Sequence, residues 1–165
     1  MTNIAESCVK RRFALQEGHQ GTPIRANWGH SIKSVQDDLL LHRMALRDGD
    51  APLTAVHGTY FKLWQIIRRE GLRAGGRSGW KSRNHVHFAP LLPTEGKVAS
   101  GMRLGCDVAI YLDVHKALLK GLPLFTSANG VILTPGWAGV VPPSLFKQAV
   151  LLKDGSQLWF ESLAG

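Results

Sequence analysis

The clearest periodic pattern in the chain follows Thr59. Apolar residues recur there at i, i+3, i+4 and i+7, and they are Tyr60, Leu63, Trp64 and Ile67. This spacing marks one face of an α-helix. The pattern therefore predicts a helix with Thr59 as its N-cap and Gly71 at its end.

Short apolar runs predict strands along much of the remaining chain. Residues 12–16 and 23–27 flank the turn-rich EGHQGT and are predicted to form a β-hairpin. In the segment HVHFA, His85 and His87 share one face of a strand, while Val86 and Phe88 take the other. Four further strands are predicted at residues 108–112, 130–134, 148–152 and 157–161.

The other segments complete the predicted architecture. Val114–Leu119 is predicted to be a second helix that stops at Gly121, and the glycine-rich, basic residues 71–83 are predicted to form a mobile loop. Residues 35–47 fit a short helix and an extended linker equally and are left unassigned. Strands outnumber helices without regular alternation, which indicates the α+β class.

Composition and charge indicate which class of partner the chain binds. The chain has 165 residues, of which 44% are hydrophobic and 19% charged, as expected for one folded domain. Its formal charge is +8, and the basic side chains between residues 62 and 83 are opposed only by Glu70. This excess of positive charge favours a polyanionic partner such as RNA.

The two cysteines, Cys8 and Cys106, lie far apart and lack the spacing of a metal or redox motif. No apolar run is long enough to span a bilayer, and the start of the chain lacks a signal-peptide core. We therefore expect no membrane partner and an intracellular location, cytoplasmic or nuclear.

Several polar residues are candidates for chemistry. Arg12 and Arg25 lie across the predicted hairpin, so their guanidiniums could face one phosphate, although a basic stretch is more often merely solvated. His57 fits a ligand-binding role and a structural role equally well. His85 and His87 could bind a metal with His57, but no cysteine or carboxylate is placed as a further ligand, so we expect no metal.

Five segments stand out along the chain: KRRF at 10–13, HGT at 57–59, SRNHVHFAP at 82–90, SGMR at 100–103 and SANGVILTPG at 127–136. Taken together and in this order, they resemble the tRNA 2′-phosphotransferase family, whose bacterial and archaeal members are named KptA. The resemblance implies an ADP-ribosyltransferase-like split β-sheet lobe that binds NAD as a co-substrate. We expect residues 48–165 to form this lobe and residues 1–47 to form the amino-terminal hairpin and a connecting segment.

The resemblance also implies a two-step reaction. The 2′-phosphate of RNA (tRNA), left at a splice junction, attacks the nicotinamide-bearing ribose carbon of NAD and expels nicotinamide. The ribose 2″-hydroxyl then attacks phosphorus, which releases 2′-OH RNA and ADP-ribose 1″,2″-cyclic phosphate. A phosphate monoester is already ionised at neutral pH, so the first step needs charge neutralisation rather than a general base.

Roles for individual residues follow from the matched motifs. The resemblance places Arg12 and Arg83 on the transferred phosphate as catalytic residues. Val131 would hold the position that acidic residues occupy in many other ADP-ribosyltransferases. The NAD cleft would be lined by His57, Gly58, Thr59, His85, His87, Ser100, Gly101 and Arg103. The candidate RNA-binding residues are Lys10, Arg11, Arg25 and His30.

The chain departs from the family pattern near the expected phosphate. The family's first Arg-His pair belongs to a winged-helix lobe, and no Arg-His dipeptide occurs here, so we expect that lobe to be missing. Trp28 replaces the usual Gln before Gly-His, and an insertion precedes Arg83. Two alternatives therefore stay open: a non-catalytic module that binds NAD, ADP-ribose or RNA ends, and an ADP-ribosyltransferase that caps nucleic-acid 5′-phosphates.

Overall fold

The computed structural model describes residues 13–15, 24–26, 41–47, 49, 52, 54–76, 83–90, 102 and 105–158. The first elements in chain order are β1 (Phe13–Leu15), β2 (Ile24–Ala26), β3 (His42–Arg43), β4 (Thr54–Thr59), α1 (Phe61–Glu70), β5 (Leu72–Arg73) and β6 (Val86–Phe88). They are followed by β7 (Val108–Asp113), α2 (Val114–Leu119), β8 (Phe125–Thr126), β9 (Ile132–Thr134), β10 (Val140–Val141), a 3-10 helix (Pro143–Leu145), β11 (Phe146–Leu151) and β12 (Gln157–Leu158).

Two four-stranded antiparallel sheets dominate this part of the chain. The central sheet has the order β12-β11-β7-β4, and the second sheet has the order β3-β8-β9-β6. The sheets meet where β4 approaches β6, through backbone hydrogen bonds of 2.8 Å in both directions between Val56 and Ala89. The mixed helix and strand content, with antiparallel pairing throughout the described sheets, confirms the α+β class.

Side-chain alternation along the central sheet separates two apolar layers. Val108, Ile110 and Leu112 of β7 belong to the main core, which also contains Trp64 and Ile67 of α1. Val56 and Ala109, which point to the opposite face of the sheet, pack in a smaller cluster. In β4, His57 pairs with Ile110 and Thr59 pairs with Val108, so both side chains lie on the face that α1 covers.

The predicted helix after Thr59 exists, but Thr59 is not its N-cap. Thr59 is the last residue of β4, where it pairs with Val108, and the N-cap position belongs to Tyr60 without a side-chain hydrogen bond. The backbone N–H of Phe61 instead donates to Asp107 Oδ1 at 2.6 Å. Strand pairing extends the chain past the expected helix start and brings in a capping carboxylate from 46 residues away.

The other predicted strands and the second helix are confirmed within the described residues, whereas residues 77–82 of the predicted loop lie outside them. β1 and β2 pair antiparallel, with Phe13 opposite Ala26, and α2 covers the predicted residues. Gly130 has φ 79° in the turn between β8 and β9, a conformation that glycine adopts readily. One difference lies at Leu72–Arg73, where the sequence predicts a loop but the chain pairs with β10 as β5. Among the described residues, no helix is long and apolar enough to cross a membrane.

Gly71 ends α1 and turns the chain into β5, and we expect Gly71→Ala to destabilise the fold strongly. Its backbone has φ 82° and ψ −176°, a region that only glycine adopts readily, and an added Cβ would clash with the carbonyl oxygen of Val141. We expect Gly71→Ala to lower the free energy of unfolding, measured by urea denaturation, by about 3 kcal/mol or more.

The matched control is Gly121→Ala. Gly121 also has positive φ, at 77°, but an added Cβ there would meet no atom within 4 Å. We expect this variant to lose only about 1 kcal/mol, which is the conformational cost alone. Equal losses in the two variants would show that the contact with Val141 does not constrain this turn.

Candidate functional site

A cleft of about 470 Å³ opens between the end of β4, helix α1 and the segment that leads into β6. Its volume lies within the range of small-molecule sites. The apolar wall comes from α1 and β5, and the polar wall comes from β4 and from residues 83–87. The lining residues are His57, Gly58, Thr59, Tyr60, Leu63, Ile66, Ile67, Glu70, Gly71, Leu72, Arg73, Gly75, Gly76, Arg83, His85, Val86 and His87.

The HGT segment forms the end of β4 and aims two side chains towards α1. His57 and Thr59 lie on that face, and Gly58 between them faces the smaller apolar cluster. A Cβ on Gly58 would lie 2.8 Å from Met102 Sδ and 2.8 Å from Cys106 Sγ. Close packing behind the strand therefore requires glycine here and brings the β4 backbone into the wall of the cleft.

His57 joins the two sheets from inside the cleft. Its Nδ1–H donates to the backbone oxygen of His87 at 2.8 Å, and its ring meets the edge of Phe88 with a centroid distance of 5.8 Å. Donation from Nδ1 leaves Nε2 as an acceptor in the neutral ring. The imidazole is thus held in one orientation by β6.

His87 is a buried histidine in its neutral form. Burial is the main cause that lowers its pKa to about 3, and the charge of Arg83 and the neighbouring His85 and His57 act in the same direction. Its Nδ1–H donates to the backbone oxygen of His85 at 3.1 Å. A neutral ring offers polar contacts without charge, so fixed positive charge near this wall comes from arginine.

Arg83 supplies that charge at the edge of the cleft. Its side chain is exposed to solvent and lines the same cavity as the three histidines. Its influence on the pKa of His87 is a second sign that the guanidinium lies close to the histidine wall. An exposed cation beside the buried, neutral His87 is suited to binding an anionic group.

The predicted site residues divide into three groups. His57, Gly58, Thr59, Arg83, His85 and His87 come together at the cleft, although they come from separate segments of the chain. The backbone of Arg25 pairs with Ala14 in the β1–β2 hairpin. The remaining predicted residues, Lys10, Arg11, Arg12, His30, Ser100, Gly101 and Arg103, lie outside the described residues. The roles assigned to all of these residues stay predictions.

Sequence reasoning missed much of the cleft. The helical stripe assigns Leu63 to a core face, but its side chain is 36% exposed and lines the cavity with Ile66. Tyr60 also lines it, with Lys62 Nζ 5.7 Å from the centre of its ring. Asp107, which does not line the cleft but caps α1, has no local signal either, because its contact with Phe61 depends on strand pairing. In the sequence, the apolar wall of the cleft can be recognised only as apolar residues in and beside the helical stripe of α1.

The structure also locates Val131. Val131 is buried in an apolar cluster with Leu41, Phe125 and Leu133, so an apolar environment surrounds the position that an acid would occupy. The described residues contain no group of three or more His, Cys, Asp and Glu side chains arranged to hold a metal ion.

The fold and site define an α+β protein with a ligand-sized, histidine-lined cleft and an arginine at its edge. Residues 1–136 match the model of the family described as RNA 2′-phosphotransferase, Tpt1/KptA family, and the chain belongs to this family. The resemblance found in the motifs is thereby confirmed.

Several curated relatives carry the corresponding name. The chain is 48% identical over 153 residues to a zebrafish (Danio rerio) protein named tRNA 2′-phosphotransferase 1, a match that covers 91% of this chain and 64% of the relative. The human (Homo sapiens) protein of the same name is 44% identical over 154 residues, with 91% of this chain and 57% of the relative covered. The chain thus spans less than two thirds of the length of these relatives.

We expect His87 to make stability depend on pH. Because the pKa of about 3 in the folded chain lies below the ordinary 6.5, the unfolded chain binds more protons between these values. The stabilisation is complete above pH 6.5 and is lost as the pH falls towards 3. From about pH 7 to about pH 5 the wild type should lose about 2 kcal/mol more unfolding free energy than His87→Gln, in which this group no longer titrates.

The measurement is urea denaturation of both proteins at each pH. The control is His115→Gln, since His115 is exposed on α2 and faces solvent in the folded chain as it does in the unfolded one. It should lose stability with pH as the wild type does. An identical pH dependence for wild type and His87→Gln would mean that His87 is not held neutral by burial.

Proposed function

We propose that this chain is the NAD-binding catalytic lobe of an RNA 2′-phosphotransferase, which transfers the splice-junction 2′-phosphate of tRNA to NAD. The main support is that residues from the HGT segment and the RNHVH segment form one cleft. Family membership and the name tRNA 2′-phosphotransferase carried by the relatives point to the same reaction. The products would be 2′-OH RNA, nicotinamide and ADP-ribose 1″,2″-cyclic phosphate.

We infer that residues 48–165 form an ADP-ribosyltransferase-like split-sheet lobe and that residues 1–47 form its hairpin and connecting segment. The inference is supported by two antiparallel sheets that meet edge to edge at Val56 and Ala89, with the cleft beside this junction. A split between sheets allows side chains from both to line one cleft, as His57 and His87 do here.

The cleft fits a dinucleotide co-substrate in its chemistry. Leu63, Ile66 and Ile67 offer an apolar wall to a ring, and the neutral, buried His87 offers a polar group without adding charge. The residues that would hold NAD are His57, Gly58, Thr59, His85 and His87, together with Ser100, Gly101 and Arg103 from the predicted set. When bound, NAD supplies a ribose carbon from which nicotinamide can leave.

Arg83, with Arg12 from the predicted set, would hold the 2′-phosphate. The phosphate monoester carries a charge of about −1.5 to −2 at neutral pH and attacks without losing a proton. What the chain must supply is orientation and positive charge, and an exposed guanidinium at the cleft edge supplies both. The apolar setting of Val131 agrees with a reaction that needs no carboxylate base there.

We expect the full chain to bind NAD or ADP-ribose, and His57→Ala to weaken that binding about tenfold. The variant removes a polar group of the cleft and the 2.8 Å bond that orients it, and one such hydrogen bond is worth about 1–2 kcal/mol. Calorimetric titration measures both affinities, with the exposed His115→Ala as the control. No binding by the wild type at millimolar NAD would reject the cleft assignment.

We expect Arg83→Ala to reduce phosphate transfer far more than NAD binding. Removing one preorganised donor from a charged transition state costs about 3 to 4 kcal/mol, or a factor of several hundred in kcat/KM, whereas NAD keeps its other contacts. The assay incubates each variant with NAD and a 2′-phosphorylated oligoribonucleotide and separates the products.

The control for this experiment is Arg68→Ala. Arg68 carries the same charge on the exposed side of α1 but does not line the cleft. Equal kcat/KM in the two variants would reject Arg83 as a catalytic residue. NAD binding without any transfer by the wild type would instead favour the non-catalytic module.

A further inference from the structure

Trp137 presents an exposed indole on a tightly constrained turn. The side chain is 40% exposed, and the turn that follows it is closed by two hydrogen bonds: Trp137 N–H donates to Val140 O at 2.8 Å, and Val140 N–H donates to Trp137 O at 3.0 Å. Ala138 and Gly139 have φ of 49° and 84°, the left-handed pair that a two-residue hairpin turn of this kind uses.

The backbone on the other side of Trp137 is equally constrained. Gly136 has φ 73°, and a Cβ there would lie 2.6 Å from backbone atoms of Val140. An exposed aromatic ring on a backbone fixed at both ends loses little conformational freedom when it binds a partner. The fold thus holds this indole towards solvent at a defined place.

That place adjoins the cleft. Val140 pairs with Trp137 on one side and with Arg73 of β5 on the other. Directly opposed residues in antiparallel pairs point to the same face, so Trp137, Val140 and Arg73 form a row across one surface. We call these three residues the rim row. Arg73 also lines the cleft, so the row runs from the cavity to the exposed indole.

Arg73 brings positive charge to this row. Its side chain is 50% exposed, and its Nη2 lies 3.6 Å from Glu70 Oε2, a carboxylate that also accepts a 2.9 Å bond from Arg69. The acidic side chain is therefore shared, and the local balance of these three residues is positive. An exposed aromatic ring and a solvent-facing guanidinium on the same surface are the combination that proteins use to bind a base and its backbone in single-stranded nucleic acids.

We propose that the rim row binds an unpaired nucleotide of the RNA substrate next to the 2′-phosphorylated nucleotide: its base stacks on Trp137 and its phosphate contacts Arg73. This inference rests on the proposed function for the identity of the RNA. A single exposed ring beside a cation is too small to form the apolar centre of a protein interface, whereas base stacking needs only one ring face.

The test measures binding separately from catalysis. A fluorescent 2′-phosphorylated oligoribonucleotide is titrated with the full chain and its anisotropy recorded. Stacking of one base on an aromatic ring is worth about 1–3 kcal/mol, so Trp137→Ala should weaken binding about tenfold or more, while Trp137→Phe should keep most of the affinity. Leu119→Ala is the control, because Leu119 is an exposed apolar residue on α2.

A second oligoribonucleotide carries abasic sites on both sides of the phosphorylated nucleotide. It should bind the wild type and Trp137→Ala equally, because the stacking partner is gone. An equal loss of affinity for both oligoribonucleotides would overturn the proposal, as would unchanged binding in Trp137→Ala. Unfolding curves of Trp137→Ala and Trp137→Phe exclude loss of fold as the cause.

Failure of the proposed function gives a different result. If the wild type binds the oligoribonucleotide but transfers no phosphate, the base-dependent effect of Trp137→Ala still supports the rim row. If the wild type transfers phosphate and Trp137→Ala binds and reacts as the wild type does, the rim row is rejected and the transferase assignment stands.

Discussion

The site depends on the joint between the two sheets. At this joint Val56 and Ala89 form backbone hydrogen bonds in both directions. His57, the next residue along β4, donates to the backbone oxygen of His87 in β6. Without these contacts the sheet that contains the HGT strand and the sheet that contains the HVH strand would not be joined, and their side chains would have no common cavity. Gly58 supports this joint on the opposite face of β4, where the absence of a Cβ leaves space for Met102 and Cys106. The cleft is therefore a consequence of how two sheets meet.

Local patterns predict those elements whose signal lies within a few residues. The helical stripe locates α1, and the apolar run with its glycine stop locates α2. The short strands β3 and β5 escape prediction because each has only two residues and exists through its pairing with β8 and β10, far along the chain. The error at Thr59 has the same origin: pairing with Val108 keeps this residue in β4, and Asp107 then caps the helix.

The candidate site is predicted from the matched motifs and completed by the fold. No spacing rule places His57 beside His87. The family resemblance assigns both residues to the NAD cleft but does not predict the hydrogen bond between them. Conversely, Leu63 faces the cleft although its helical periodicity is that of a core stripe, and Ile66, which lies outside the stripe, lines the same cavity. Periodicity distinguishes an apolar face from a polar one but does not say whether that face meets another element or an open cavity. In a sequence, the apolar wall of a ligand site therefore shows the same pattern as a helix face that packs in the hydrophobic core.

The electrostatics of the cleft couple its two proposed ligands. His87 is neutral and buried, while the guanidinium of Arg83 faces solvent at the edge. A cation in that position attracts an anion weakly while water fills the cleft, since exposed ion pairs are worth only about 0–1 kcal/mol. A co-substrate that occupies the cavity displaces this water and lowers the local dielectric, which strengthens the same attraction. Coupling between two binding sites is reciprocal, so a bound RNA phosphate would in turn favour the occupied cleft. On the proposed function, the exposed position of Arg83 makes tight phosphate binding depend on the presence of the second substrate.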